Sequence, residues 1–106
     1  MIQAPRAQGD LLFIPVDEIP QGAVAVEPTQ GRHILALGEA TGHAHTVAAD
    51  DCDLLTVSGQ VDRWLRVRSQ TPVLHEEHDA LPLDVGIYVV RPQREYSPEE
   101  IRRVAD

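Results

Sequence analysis

The chain has 106 residues, with 17 acidic and 9 basic side chains, a formal net charge of -8 and 42% hydrophobic residues. This length suits a single domain over 1–106, and the apolar fraction is too high for a disordered chain. The negative net charge argues against the basic surface that a nucleic-acid backbone or an anionic membrane requires. We therefore expect the protein to bind neither nucleic acid nor a membrane.

Cys52 is the single cysteine of the chain, so no intrachain disulfide can form. This usage is typical of a reducing compartment, and we expect a cytoplasmic protein. No apolar stretch approaches the roughly 18 residues of a membrane-spanning helix. The acidic neighbours of Cys52 should raise its thiol pKa, which predicts an inert side chain.

Residues 1–9 are small and polar and are predicted to be a flexible tail. Beyond them, short apolar or alternating runs predict six or seven strands, with turns at 50–53 and 81–86 and a hairpin turn at Gly59. The seven runs are 11–14, 33–38, 43–48, 54–57, 61–67, 73–76 and 87–90, and 23–26 is a short extended piece within a long loop at 17–32. Val61, Leu65 and Val67 are expected to share the inward face of their strand.

The C-terminal segment carries a helix signal. Ser97 is a suitable N-cap, Pro98 suits the first helical position and Glu100 suits the third, so the sequence predicts a helix over 97–105. Strands at intervals of about 8–12 residues favour a small barrel or sandwich. The predicted fold is therefore mostly β, a small barrel or sandwich with a short C-terminal helix.

Four of the five histidines occur in two close pairs, which are the main candidate metal ligands of the sequence. His43 and His45 lie two residues apart in an alternating run, which places both rings on one face of a strand. Two imidazoles at this spacing can bind one metal ion, because each nitrogen ligates at about 2.0–2.1 Å.

His75 and His78 form the second pair. In a regular strand these two side chains would point to opposite faces, whereas a helical turn over 71–80 or a bulge in the strand would bring them to one side. These alternatives stay open. Glu39, Glu76 and Glu77 offer a carboxylate as a ligand, an orienting group or a base. The alternatives to a metal are a structural or contact role and a pH-sensitive switch. His33 is a reserve ligand.

The glycines that precede the first histidine pair, Gly38 and Gly42, give the segment through His45 a resemblance to the first half of the cupin metal motif. That resemblance implies a small β-barrel with a metal at its mouth and His75 in the place of the family's lone histidine. The family's glutamate is missing here, with Asp50 at one of its usual places. The chain also resembles small bacterial and phage-encoded proteins of unassigned function, through the succession of segments 9–12, 42–45, 75–78 and 94–96.

The first hypothesis is a small metal-binding β-barrel, with His43, His45, His75 and His78 as ligands of Zn²⁺, Fe²⁺, Mn²⁺ or Ni²⁺. An open coordination position would make the site catalytic, with Tyr88, Tyr96 or Glu77 as acid or base, and a closed shell would make it structural. The second hypothesis is a non-enzymatic interaction or assembly module, either a homo-oligomer or a protein that decorates a larger particle. In this module the histidines fix loops or bridge subunits.

Overall fold

The structure is a computed structural model that describes residues 4–37 and 43–92. The predicted helix over 97–105 lies outside the described residues, as do Gly38, Glu39, Gly42 and Tyr96. The described part consists of strands joined by turns, bends and irregular loops, and it contains no helix. Within it, no helix is long and apolar enough to cross a membrane.

Ten short β-strands make up the described fold. They are β1 Arg6–Gln8, β2 Leu11–Val16, β3 Val24–Ala25, β4 Arg32–Leu37, β5 Ala44–Ala48, β6 Cys52–Thr56, β7 Arg63–Val67, β8 Thr71–Val73, β9 Leu81–Leu83 and β10 Gly86–Pro92. The prediction of a mostly β protein is confirmed. The number of strands is larger than predicted because four of them have only two or three residues, too few to show an alternating pattern.

The strands form one larger sheet and two antiparallel pairs. The six-stranded sheet has the order β1-β2-β10-β7-β6-β3, and the pairs are β4-β5 and β8-β9. An isolated bridge between Thr46 and Leu74 joins the two pairs, with reciprocal backbone hydrogen bonds of 3.0 and 2.9 Å. β5 and β8 therefore lie side by side, which later positions the histidines.

The core is built from alternate residues of strands in all three sheets. In β2, for example, Leu11 and Phe13 are fully buried, and the same alternation occurs in β8, β9 and the first part of β6. β10 differs, because Tyr88, Val89 and Val90 are buried in succession. The buried cluster comprises Leu11, Phe13, Leu35, Val47, Cys52, Leu54, Leu65, Val67, Val73, Leu81, Leu83, Tyr88 and Val90. With so few aromatic residues in the chain, branched aliphatic side chains fill most of this core.

The described strands do not close into a barrel. The edges of the six-stranded sheet are β1 and β3, which have three and two residues, and these strands pair with β2 and β6 rather than with each other. The barrel alternative of the sequence analysis, and the barrel that the cupin resemblance implied, are therefore wrong for this part of the chain.

Two segments that were predicted to be irregular are strands. Residues 6–8 of the predicted tail pair with Leu11–Phe13 as β1, and Gln8 is buried. The predicted turn at 81–86 contains β9, in which Leu81 and Leu83 are buried while Pro82 faces outward. Proline is tolerated there because an outward residue at a sheet edge does not need its backbone N–H.

Two smaller predictions also differ from the structure. Cys52 was placed in an acidic turn, but it begins β6 and is fully buried. Val61 was placed on the inward face, but it lies before β7 and is 76% exposed. The hairpin between β6 and β7 is confirmed, and Gly59 in its turn has a φ of 82°.

Candidate histidine site

Four imidazole rings from two distant segments lie together on one side of the molecule. The ring centroids are 4.5 Å apart for His45–His75 and for His75–His78, 5.6 Å for His43–His75 and 6.1 Å for His45–His78. We call His43, His45, His75 and His78 the histidine cluster. The sequence predicted these four residues as one group, and the fold brings their rings together.

The bridge between β5 and β8 explains the meeting of the two segments. Because Thr46 pairs with Leu74 in antiparallel fashion, the chain before Thr46 runs beside the chain after Leu74. The backbone N–H of Ala44 also donates to Oε2 of Glu76 at 3.0 Å, which continues the contact beyond the bridge. That N–H lowers the pKa of the exposed Glu76 carboxyl below its ordinary value.

Residues 75–78 form neither a regular strand nor a helical turn, so these two alternatives of the sequence analysis are wrong. The segment bends at 76–78, and Nδ1 of His75 accepts the backbone N–H of Glu77 at 3.0 Å and of His78 at 3.3 Å. This hydrogen-bonded bend places the His75 and His78 rings 4.5 Å apart.

His45 is the buried member of the cluster, with 1% of its surface exposed. Its Nδ1 lies 2.8 Å from Oε1 of Gln8, and its Nε2 lies 3.4 Å from Oδ1 of Asp10. Burial lowers the pKa of His45 below the ordinary value of 6.5, and the neighbouring His75 lowers it further, while Asp10 opposes the shift. The neutral imidazole, the form that can bind a metal, is thereby favoured.

The turn between β1 and β2 forms the floor of the cluster. Gly9 adopts a φ of 57°, and a Cβ at this position would overlap Nε2 of His78. Position 9 therefore requires glycine for two reasons: its backbone is left-handed, and the His78 ring lies too close to leave room for a Cβ. Gln8, Gly9 and Asp10 were all missed as site residues, although the Gly-Asp pair that precedes the apolar run 11–14 is a turn signal.

His43 is partly exposed and contacts a carboxylate. Its Nδ1 lies 3.3 Å from Oε1 of Glu77, and the two side chains are 25% and 64% exposed. A depression of about 240 Å³ adjoins His75 and is lined by Ala44, Thr46, Leu74, His75 and Glu76. One flank of the cluster is therefore accessible to solvent.

The ring nitrogens do not converge as closely as the rings. Among the described residues, no group of three or more His, Cys, Asp or Glu side chains is arranged to hold a metal ion. Both nitrogens of His45 and one nitrogen each of His43 and His75 face protein partners. A metal would have to replace some of these contacts.

His33, Tyr88 and Cys52, which the sequence analysis also considered, lie outside the histidine cluster. His33 is buried in β4, and within the described part of the chain its Nδ1 has no hydrogen-bond partner. The hydroxyl of Tyr88 donates to the carbonyl of Asp84 at 2.8 Å. Burial, together with the charge of Asp51, raises the pKa of the Cys52 thiol to about 12.

A family model described as a domain of unknown function, DUF8820, matches residues 7–93. The chain belongs to this family. The DUF8820 match includes Gln8, Asp10 and the whole histidine cluster, so the candidate site lies inside the family's domain. No curated protein and no solved structure matches the chain. The comparisons give the cupin resemblance no support, and the DUF8820 description assigns no activity.

Proposed function

We propose that this protein is a small metal-binding β-domain whose histidine cluster holds one divalent transition-metal ion. The observation that supports the proposal is the gathering of four imidazoles, from two distant segments, with ring centroids 4.5 to 6.1 Å apart. Two imidazoles that share one tetrahedral ion have centroids about 5 Å apart, given metal–nitrogen bonds of 2.0–2.1 Å. Imidazole suits Zn²⁺, Fe²⁺ and Ni²⁺, and with carboxylates nearby also Mn²⁺.

Binding requires a local rearrangement of the 75–78 bend. The lone pair on Nδ1 of His75 accepts two backbone N–H groups. The neutral ring therefore carries its hydrogen on Nε2, and neither nitrogen has a lone pair available for a metal. Releasing those two bonds frees Nδ1 as a ligand. Residues 76–78 are exposed, so the rearrangement disturbs no core packing.

The depression beside His75 has a size that suits a metal ion. The depression beside His75 has a volume of about 240 Å³, whereas pockets that enclose small molecules usually measure roughly 300–1,000 Å³. A metal ion and its water ligands fit this depression, which is smaller than the pockets that usually enclose organic molecules.

Metal titration of the full chain, purified without a histidine tag and treated with EDTA, tests the proposal. We expect calorimetry with Zn²⁺ or Ni²⁺ to show one ion bound per chain. At a free-ion concentration of 100 times Kd, the free energy of unfolding should rise by about 2.7 kcal/mol. The double variant His43→Ala/His78→Ala removes two rings that are not fully buried, so it should fold and lose most of the binding.

His33→Gln is the matched control, because it removes an imidazole that does not belong to the cluster, and it should bind like the wild type. Absence of binding in the wild-type chain contradicts the proposal. So does unchanged binding in a folded His43→Ala/His78→Ala variant.

The assembly module remains the second candidate, favoured by the hydrogen bonds that already occupy ring nitrogens of His45 and His75. In that case the wild-type chain binds no metal. Light scattering would then show that His43→Ala/His78→Ala changes the oligomeric state while His33→Gln does not.

A further inference from the structure

We propose that Asp10, in the turn between β1 and β2, is a carboxylate ligand of the ion held by the histidine cluster. The inference rests on the proposed function and adds a third segment of the chain to the site. It would make the site a mixed nitrogen–oxygen centre in which Gln8 orients the His45 ligand.

The first step of the argument is the orientation of the Gln8 amide. Its Nε2 donates to the carbonyl of Val73 at 2.8 Å and to the carbonyl of Asp79 at 2.9 Å. Since only the amide nitrogen can donate to two carbonyls, the oxygen Oε1 must be the atom that faces His45. Gln8 is 3% exposed, so water does not compete for these bonds.

The second step is the tautomer of His45. Nδ1 lies 2.8 Å from Oε1 of Gln8, and a carbonyl oxygen can only accept a hydrogen bond. The hydrogen of the neutral ring is therefore on Nδ1, and the lone pair is on Nε2. Metal-binding histidines use this arrangement, in which the second ring nitrogen donates to a fixed acceptor.

The third step is the group that faces this lone pair. Oδ1 of Asp10 lies 3.4 Å from Nε2 of His45, so a nitrogen acceptor and a carboxylate oxygen face each other. Two ligand atoms of a tetrahedral ion are separated by about 3.4 Å when their bonds are about 2.0–2.1 Å long. A cation bound by both atoms satisfies both lone pairs.

His78 brings a third donor to the same turn. Its ring occupies the space above Gly9 that a Cβ would fill, directly beside Asp10 in the chain. Its centroid lies 6.1 Å from that of His45, and the two rings are nearly parallel, with an interplanar angle of 14°. The side chain of His78 is exposed, so its ring is free to reorient when an ion binds between His45 and Asp10.

The expected ligand class follows from these donors. Imidazole nitrogen combined with carboxylate oxygen suits Zn²⁺, Fe²⁺ or Mn²⁺ and disfavours Cu(I), which prefers sulfur.

Comparing Asp10→Asn with Asp17→Asn in the full chain tests the role of Asp10. Both substitutions remove one negative charge from an exposed side chain, but Asp17 lies after the end of β2. We expect Asp10→Asn to weaken Zn²⁺ and Co²⁺ binding at least tenfold and to change the visible absorption spectrum of bound Co²⁺. Asp17→Asn should change neither property.

The spectrum separates a lost ligand from a lost neighbouring charge, because only a ligand change alters the coordination of Co²⁺. If the wild type binds one ion and Asp10→Asn keeps its spectrum, Asp10 is not a ligand and the histidine site stands without it. If the wild type binds no ion, the proposed function itself is wrong.

Discussion

At the scale of single residues, Gly9 shows how one missing side chain shapes the candidate site. Its φ of 57° is unfavourable for any residue with a Cβ, and the His78 ring fills the space that a Cβ would need. The two costs are separable, because Gly59 has a comparable φ of 82° and open space within 4 Å of the point that a Cβ would occupy.

Gly9→Ala should therefore destabilise the protein more than Gly59→Ala. Both variants acquire the strain of a left-handed alanine, roughly 1–2 kcal/mol. Only Gly9→Ala must also displace His78. Urea denaturation measures the difference in unfolding free energy, and the NMR signals of the His78 ring should shift in Gly9→Ala alone. Equal destabilisation with unshifted signals would show that the ring does not depend on this contact.

The sequence predicted the histidines of the site but not their carboxylate and amide neighbours. His43 and His45 were identifiable because a period of two places them on one face. Gln8 and Asp10 were not, since Gln8 lies 37 residues from His45 in the chain and the β1–β2 turn reaches that ring through long-range packing, which the local sequence does not encode. The bend at 75–78 was also missed, because a histidine ring accepts its backbone hydrogen bonds.

At the scale of elements, a side-chain pair connects the segment before β7 to β10. Nε and one terminal nitrogen of Arg91 donate to the two carboxylate oxygens of Asp62 at 3.0 and 2.8 Å. The Arg91 guanidinium holds the pKa of Asp62 below its ordinary value of 3.8. This two-point contact fixes the end of the β6–β7 hairpin against the neighbouring strand.

Asp62→Asn should lower the free energy of unfolding by about 0.5–1 kcal/mol at pH 7, the size expected for a partly exposed pair. Because the folded-state pKa is depressed, the stabilisation is present above pH 3.8 and is lost as the pH falls through the folded-state value. Urea titrations at pH 7 and pH 3 check this, with Asp17→Asn as the control. A difference that persists unchanged at the lower pH would contradict the ion-pair explanation.

The longer strands of the fold were predictable, and the shortest were not. β4, β5 and β10 show apolar or alternating runs, whereas β8 and β9 each have three residues with a central proline. The order β1-β2-β10-β7-β6-β3 places the last described strand between two earlier ones. Such an order depends on which hydrophobic faces pack together, and no local pattern determines it.

At the scale of the whole molecule, the core contains a single thiol that reports on unfolding. Cys52 is fully buried among residues of all three sheets, and burial raises its pKa to about 12. Both properties suppress its reactivity, because thiol reagents require an accessible thiolate.

Cys52 should therefore resist an aromatic disulfide reagent at pH 8 in the native protein and react fully in denaturant. Its labelling rate at intermediate urea concentrations should follow the global unfolding transition measured by circular dichroism. The variant Cys52→Ser/Val24→Cys moves the thiol to a side chain that is 64% exposed and should react at once without denaturant. Rapid labelling of the native wild-type chain would show that the core around β6 opens locally.

The buried amide of Gln8 affects how this domain can be shortened for experiments. A fragment that begins at Leu11 would retain every histidine and the complete core of β2, and it would look intact from its composition. It would nevertheless lack the group that fixes which nitrogen of His45 carries hydrogen, together with the turn beneath His78. Experiments on the metal chemistry of this protein should therefore keep the ten residues that precede the first long strand.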